Sequence, residues 1–238
     1  MKGFGSIEEL HEYDKKRIEV IGNHMKCGVL FSSLDADIAD DVKIGAGTVI
    51  HSGTVIGAGC VIGENCEIGP NSVITVSKIG DGVSVNSSKV SDSEVGAGTT
   101  VGPFSHLRNG CKVGEKCRIG NFVELKNATL DNGSKVSHLS YIGDASLGKN
   151  VNMGCGSITV NYDGVGKYRT EIGDNAFVGC NVNLIAPVKV GEGALVAAGS
   201  TITDEVPVDA LAIARARQTV KEDRASKIFE ANRRKKNG

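Results

Sequence analysis

The chain has 238 residues, enough for one or two domains and a sizeable core. Aromatic residues are only 4%, Trp is absent and Gly reaches 32, which argues against a core built on large rings and suits a narrow one lined with aliphatic side chains. A formal net charge of −1 gives no electrostatic case for nucleic acid. No apolar run approaches transmembrane length and no secretory signal pattern opens the chain, so no membrane partner is expected and the default location is the cytoplasm.

In chain order, a helix is expected first, from about Ser6 to Met25. Ser6 stands at an N-cap with Glu9 three places on, and Ile7, Leu10, Ile18 and Ile21 supply an intermittent apolar stripe before Gly22-Asn23, a possible stop signal. A short extended stretch from Gly28 to Phe31 follows, and residues 1–37 read as helix and lead-in.

A six-residue beat then takes over. Ile44, Ile50, Ile56, Ile62, Ile68 and Ile74 fall at one spacing, with Thr48, Thr54, Cys60, Cys66 and Ser72 four places after the first five. The beat resumes at Val95, Val101, Leu107, Val113, Ile119 and Leu125, and again from Ile172 to Ile202. Such a period marks an all-β solenoid, a parallel β-helix, placed at 38–207. Some steps shorten to five residues, as from Ile74 to Ile79 and from Leu125 to Leu130. The longest break, between Met153 and Ile172, holds the turn-rich run Asn161 to Lys167, which must protrude from the core. Residues 208–238 form a C-terminal segment whose tail after Gln218 is helical in pattern and basic at its end. It reads as a solvated helix, since a polyanion-binding tail would want interleaved aromatics.

The cysteines at 60, 66, 111 and 117 occupy small-residue positions of the repeat and read as buried hydrophobes. Their spacing follows from the repeat, so neither a metal site nor a disulfide framework is expected.

A filled solenoid offers no internal pocket. Sites belong on its outer face, at protruding loops or between neighbouring copies, and a cyclic trimer with sites at subunit boundaries is the expected assembly. One stretch departs from the Gly/Asp/Asn monotony: Gly102 to Arg108, then Asn121 to Lys126, then Ser137 to Tyr141. The intervals stack Arg108 on Lys126, with His138 and Tyr141 a corner away. Two cations beside a His and a Tyr suit an anionic substrate needing proton transfer, set against plain surface decoration.

The runs GPFSHLRNG, GNFVELKN, SHLSYIGDASLGKNVNMGCGSITVNYDG and ALAIARARQT resemble, in order and spacing, the C-terminal half of the bacterial bifunctional glucosamine-1-phosphate acetyltransferase / N-acetylglucosamine-1-phosphate uridylyltransferase family. The resemblance covers most of the chain. It implies a left-handed β-helix, a homotrimer, acetyl-CoA as co-substrate and no metal for acetyl transfer. It also implies that Arg108, Lys126, Tyr141, Asn152 and Lys167 bind the sugar phosphate, with Asn161 and Tyr162 lining the sugar and thioester site. By the same resemblance His138 is the general base, Glu124 orients it, and the backbone N–H of Cys155 faces the oxyanion. Cys155, Cys180, Ala198 and Arg215 match acetyl-CoA contacts. The implied reaction is direct N-acetylation of glucosamine 1-phosphate for UDP-N-acetylglucosamine and cell-wall synthesis. The family's nucleotide-binding half has no counterpart here, so uridylyl transfer is expected to be missing. The helix near Ser6 resembles the linker after that half. Cys155 and Cys180 stand where Ala and Ser are usual, and Ala216-Arg217 replaces Val-Pro. The competing readings are another amino-sugar acceptor, and a catalytically silent solenoid partnering a separate uridylyltransferase. A γ-type carbonic anhydrase would need three His ligands, and the five histidines lack that spacing.

Overall fold

The computed structural model describes residues 3–237. Helix α1 runs Ile7–Lys26 and begins where its cap predicts: the Ser6 hydroxyl accepts from the Glu9 amide at 3.2 Å. The box is not reciprocal, because the Glu9 carboxylate reaches back to the Gly5 amide at 3.0 Å. Gly22-Asn23 does not stop the helix, which ends only at Cys27. Ile21, buried on the solenoid, holds that turn against the propensity of its neighbour.

The chain then winds into a left-handed parallel β-helix of about ten turns. Its three parallel sheets hold 11, 10 and 9 strands, and successive strands of the chain go to different sheets. The first sheet opens with Leu30–Phe31 and closes with Leu211–Ala212, the second runs from Asp37–Ile38 to Thr201–Ile202, and the third from Lys43–Ile44 to Val188–Val190. The expected limits at 38 and 207 fall inside this span.

The beat residues point inward and stack in register. In the second sheet Ile56 pairs with Ile74, then Val90, Leu107, Leu125 and Ile142, each essentially inaccessible to solvent. The small residues at the corners are buried too, and their hydroxyls join adjacent coils. Thr48 Oγ1 donates to the Gly63 carbonyl at 2.8 Å and accepts from the Cys66 amide at 3.0 Å, so its burial leaves no polar atom unpaired. Cys60, Cys66, Cys111 and Cys117 are buried as the repeat implies, and burial pushes their thiols up, away from thiolate chemistry.

The protruding loop leaves the second sheet after Ile158–Val160 and rejoins the solenoid in the third sheet at Thr170–Ile172. It is a tight hairpin: Tyr162 and Lys167 form an antiparallel bridge, the Asp163 carboxylate caps the amides of Val165 and Gly166, and Val165 stands at the tip, 94% exposed. Helix α2, Arg224–Asn237, exposes its described side chains throughout.

Helix α1 is fastened to the first coils by polar contacts. Tyr13 donates to the Asp37 carboxylate at 2.6 Å, Lys16 pairs with Asp40, and the Arg17 guanidinium donates to the carbonyls of Leu34 and Ala36. The bond to Asp37, then burial and the Asp37 charge, push the Tyr13 hydroxyl up to about 12. Because that folded value exceeds the unfolded value of about 10, the contribution is fully present below pH ~10 and is lost as pH rises through the folded value. Tyr13→Phe is expected to lower hydrogen-exchange protection across α1 at neutral pH while the central coils keep theirs. Unchanged α1 protection would show that this bond does not hold the helix.

Candidate active site

The second sheet's outer face carries the charged cluster. Register places Arg108 over Lys126 and Lys126 over Gly143, with His106, Glu124 and Tyr141 stacked two residues earlier on the same strands. Arg108 Nε donates to Glu124 Oε1 at 2.7 Å and its Nη1 to Asn109 Oδ1 at 3.2 Å. Lys126 Nζ lies 4.0 Å from the Asp144 carboxylate, and both side chains are largely buried, at 14% and 13% exposure. Asp144 also accepts from Asn127 Nδ2 at 2.6 Å and from Asn161 Nδ2 at the root of the loop. Burial alone would raise this carboxyl. The bonds from Asn127 and Asn161 and the charges of Lys126 and Lys167 outweigh it and hold it below the usual carboxylate range.

The loop brings Lys167 against Lys126, and contact with that second ammonium lowers the Lys167 amine. Three cations, Arg108, Lys126 and Lys167, thus converge on one patch with carboxylates engaged beneath them, a setting that a dianion would relieve. Tyr141 lies across the patch: its hydroxyl would stand 2.4 Å from a Cβ at Gly143, so only glycine leaves room for the ring.

The neighbouring edge, where the first sheet turns into the second, carries a different ladder. Asn121 and His138 are register partners, and Asn121 Oδ1 lies 2.6 Å from His138 Nδ1. The ladder continues coil by coil through backbone bonds from Gly156 N to His138 O, Asn181 N to Cys155 O and Gly199 N to Cys180 O. Cys155, Cys180 and Ala198 therefore stack in line beyond His138. The Cys155 amide has no acceptor among the described residues. Arg215 runs alongside, its Cδ 3.9 Å from where a Cβ on Gly199 would stand. Phe104, Phe122 and Leu139 project from the same edge in left-handed backbone geometry, the two rings stacked at 5.4 Å, all three more than half exposed.

The structure thus gathers Arg108, Glu124, Lys126, Tyr141, Asn161 and Lys167 on one face, and His138, Cys155, Cys180, Ala198 and Arg215 along the adjoining edge. Two expected residues lie elsewhere in the single chain. Asn152 is on the first sheet, in register with Lys135 and Phe177, and Tyr162 turns its hydroxyl to the Gly164 carbonyl of its own hairpin. Glu124 does not bond His138. Its carboxylate is taken by Arg108, and Asn121 occupies the imidazole instead. Asn121, Asn127 and Asp144 are the residues that sequence reasoning missed. The signal for the last two was an Asn or Asp recurring at one corner in left-handed backbone, beside the cations.

Short parallel strands on a six-residue period, with polar side chains clustered on a face and an edge, define a hexapeptide-repeat β-helix. The family model for bacterial transferase hexapeptide (six repeats) matches residues 41–76, 92–127 and 169–204 of the chain. Among curated proteins it is similar to the bifunctional protein GlmU of Exiguobacterium sp. (strain ATCC BAA-1283 / AT1b), 59% identical over 199 residues, covering 83% of this chain and 44% of that protein. It is likewise similar to the bifunctional protein GlmU of Staphylococcus haemolyticus (strain JCSC1435), 53% identical over 209 residues, covering 87% and 46%. The chain spans about half the length of the curated relatives it matches. Among solved structures, the Francisella novicida UDP-N-acetylglucosamine acyltransferase is similar with a TM-score of 0.50 at 17% identity, over 75% of this chain and 67% of that one, a likeness of fold alone.

Two predictions follow from the cluster's geometry. Gly143→Ala should force the Tyr141 ring aside and weaken binding of a phosphate monoester on the order of tenfold, read by calorimetry. Unchanged affinity with a shifted Tyr141 would remove the ring from the anion site. Asp144, with its folded value depressed, contributes stability that is present above the unfolded value of about 3.9 and lost as pH falls through the lower folded value. Asp144→Asn should therefore cost about 2 kcal/mol at neutral pH, and the difference from the parent should shrink in melts below pH ~4. A gap that persists at low pH would point to packing instead of charge.

Proposed function

We propose that this chain transfers the acetyl group of acetyl-CoA to the amine of glucosamine 1-phosphate, forming N-acetylglucosamine 1-phosphate for UDP-N-acetylglucosamine and cell-wall synthesis. The observation that carries this reading is the convergence of Arg108, Lys126 and Lys167 one edge away from a histidine. A phosphate dianion satisfies the cations, and its sugar then reaches toward the imidazole. Tyr141 covers the sugar. The resemblance to the GlmU proteins supports the same assignment.

In this reading His138 accepts a proton from the amine as it attacks the thioester carbonyl. The Cys155 amide, without an acceptor among the described residues, faces the oxygen on which negative charge develops. Collapse breaks the carbon–sulfur bond, the departing thiolate of CoA takes the proton held by His138, and the new amide remains. The ladder of Cys155, Cys180 and Ala198 offers a smooth edge of small side chains for an extended acyl carrier, with Arg215 placed for its phosphates. No thiol needs to form a bond.

The site is completed between copies of the chain. Asn152 on the first sheet and Tyr162 in the hairpin belong to the binding set only if a neighbouring subunit brings a first face against a second. The exposed Phe104–Phe122–Leu139 edge and the Val165 tip give that neighbour apolar surface to cover, and a trimer closes the arrangement.

Thiol release from acetyl-CoA is expected with glucosamine 1-phosphate and not with glucosamine 6-phosphate, and His138→Ala should lower kcat about 10²- to 10⁴-fold. No turnover by a folded trimer would sink the reading and send the search to other amino-sugar acceptors. Incubation with acetyl-CoA alone should leave the intact mass unchanged. An acetylated Cys155 or Cys180 would replace direct transfer with a covalent route.

A further inference from the structure

The imidazole that does the proton transfer is held by one side chain. Asn121 ends the strand Arg118–Asn121, and His138 ends the strand Lys135–His138 one coil on. They are direct register partners, and the Asn121 carbonyl oxygen meets His138 Nδ1 at 2.6 Å. The backbone of the pair is fixed independently, since the Leu139 amide donates to the Asn121 carbonyl at 3.1 Å and the Gly156 amide to the His138 carbonyl at 3.3 Å. A Cβ at Gly120 would stand 1.9 Å from the Ser137 carbonyl oxygen, so the two strands approach as closely as glycine permits just before the pair.

We infer that Asn121 is the positioning residue of the general base: its Oδ1 locks neutral His138 as the Nδ1–H tautomer and turns the Nε2 lone pair out to the substrate amine. An amide oxygen only accepts, so the proton of the neutral ring must sit on Nδ1. The opposite tautomer would carry its hydrogen on Nε2 and have no lone pair for the amine. Once Nε2 takes the substrate proton, the same bond becomes charge-assisted and strengthens, which stabilises the imidazolium during attack. The carboxylate that could have served, Glu124, is neutralised by Arg108 at 2.7 Å and belongs to the phosphate side of the site. The role differs from that of a carboxylate partner: a neutral amide fixes the tautomer and brings no charge of its own. The other titratable groups on the elements around His138 are Arg118 and Lys135 on its own sheet, Glu124, Lys126 and Tyr141 across the edge, and Cys155 one coil on.

This inference rests on His138 being the base of the proposed reaction, but its first test does not depend on turnover. In ¹⁵N-histidine-labelled protein without substrate, the two ring nitrogens of His138, assigned by comparison with His138→Gln, should report the Nδ1–H form above the imidazole titration. Asn121→Ala should release the ring toward a mixture of tautomers. A parent ring in the Nε2–H form, or a ring unchanged in Asn121→Ala, overturns the inference. In the acetyl-transfer assay Asn121→Ala should lower kcat about 10- to 100-fold with little change in KM for the sugar phosphate. Asn121→Asp keeps an oxygen at Nδ1, so it should retain the tautomer, recover activity relative to Asn121→Ala and move the acid limb of the pH–rate profile upward. Full kcat in Asn121→Ala, or no recovery in a folded Asn121→Asp with the parent tautomer, also overturns it. A parent protein that does not turn over defeats the proposed function, while the ring spectrum still decides the role of Asn121.

Discussion

Everything in this molecule depends on the in-register parallel pairing of each coil with the next. The strands are two to four residues long and would be worthless alone. Stacked, they share one continuous aliphatic interior, and every equivalent position becomes a column. Parallel strands lie about 4.8 Å apart, so residues a full coil apart in the chain become nearest neighbours. Arg108 meets Lys126, Asn121 meets His138 and Cys155 meets Cys180 for that reason alone. The functional geometry is therefore linear: a ladder along an edge beside a ladder on a face, with no cavity required.

The columns also set the electrostatics. On the third sheet unlike charges meet on adjacent coils at two places, Lys78 with Glu94 at 3.2 Å and Glu171 with Lys189 at 3.4 Å, and such exposed pairs cancel at little gain. The second face breaks this pattern. Arg108 has Glu124 and Lys126 has Asp144, but the hairpin adds Lys167 without a carboxylate of its own in bonding range among the described residues. The two ammonium groups repel, which is why the neighbouring Lys126 lowers the Lys167 amine. The hairpin that imposes this is kept in place by backbone bonds, the Asp163 cap and the Asn161–Asp144 tie at its root. Folding thus gathers three cations over two carboxylates, Glu124 and Asp144, and leaves an excess of positive charge on this face.

The solenoid was legible in the chain because its period is physical. One aliphatic residue per face per coil leaves a beat that composition cannot hide, and the Arg108–Lys126 stack follows from counting. The partner of His138 was not legible. Counting gives the column of a residue, but the choice between Glu124 and Asn121 depends on which side chain the arginine claims first. The face that carries Asn152 was not legible for a related reason: a motif says that a residue belongs to a site, not which face of which copy supplies it. At Gly22 local propensity pointed to a stop, and the burial of Ile21 overrode it.

The ladder logic also explains why cysteine is tolerated at positions 155 and 180. Each corner presents an amide two residues past a strand, and its fate depends on the residue one coil above. Where that residue is Asp or Asn, the amide is capped: Glu64 by Asp81, Glu115 by Asn132 and Lys149 by Asp174, each at 2.8 Å. Above Cys155 stands Cys180, whose side chain carries no oxygen to reach down. A small residue without an acceptor at that step, whether a thiol or a methyl group, leaves the amide open toward the edge. In the proposed reaction, position 155 therefore contributes through its backbone N–H, which the side chain of Cys180 above it does not cap.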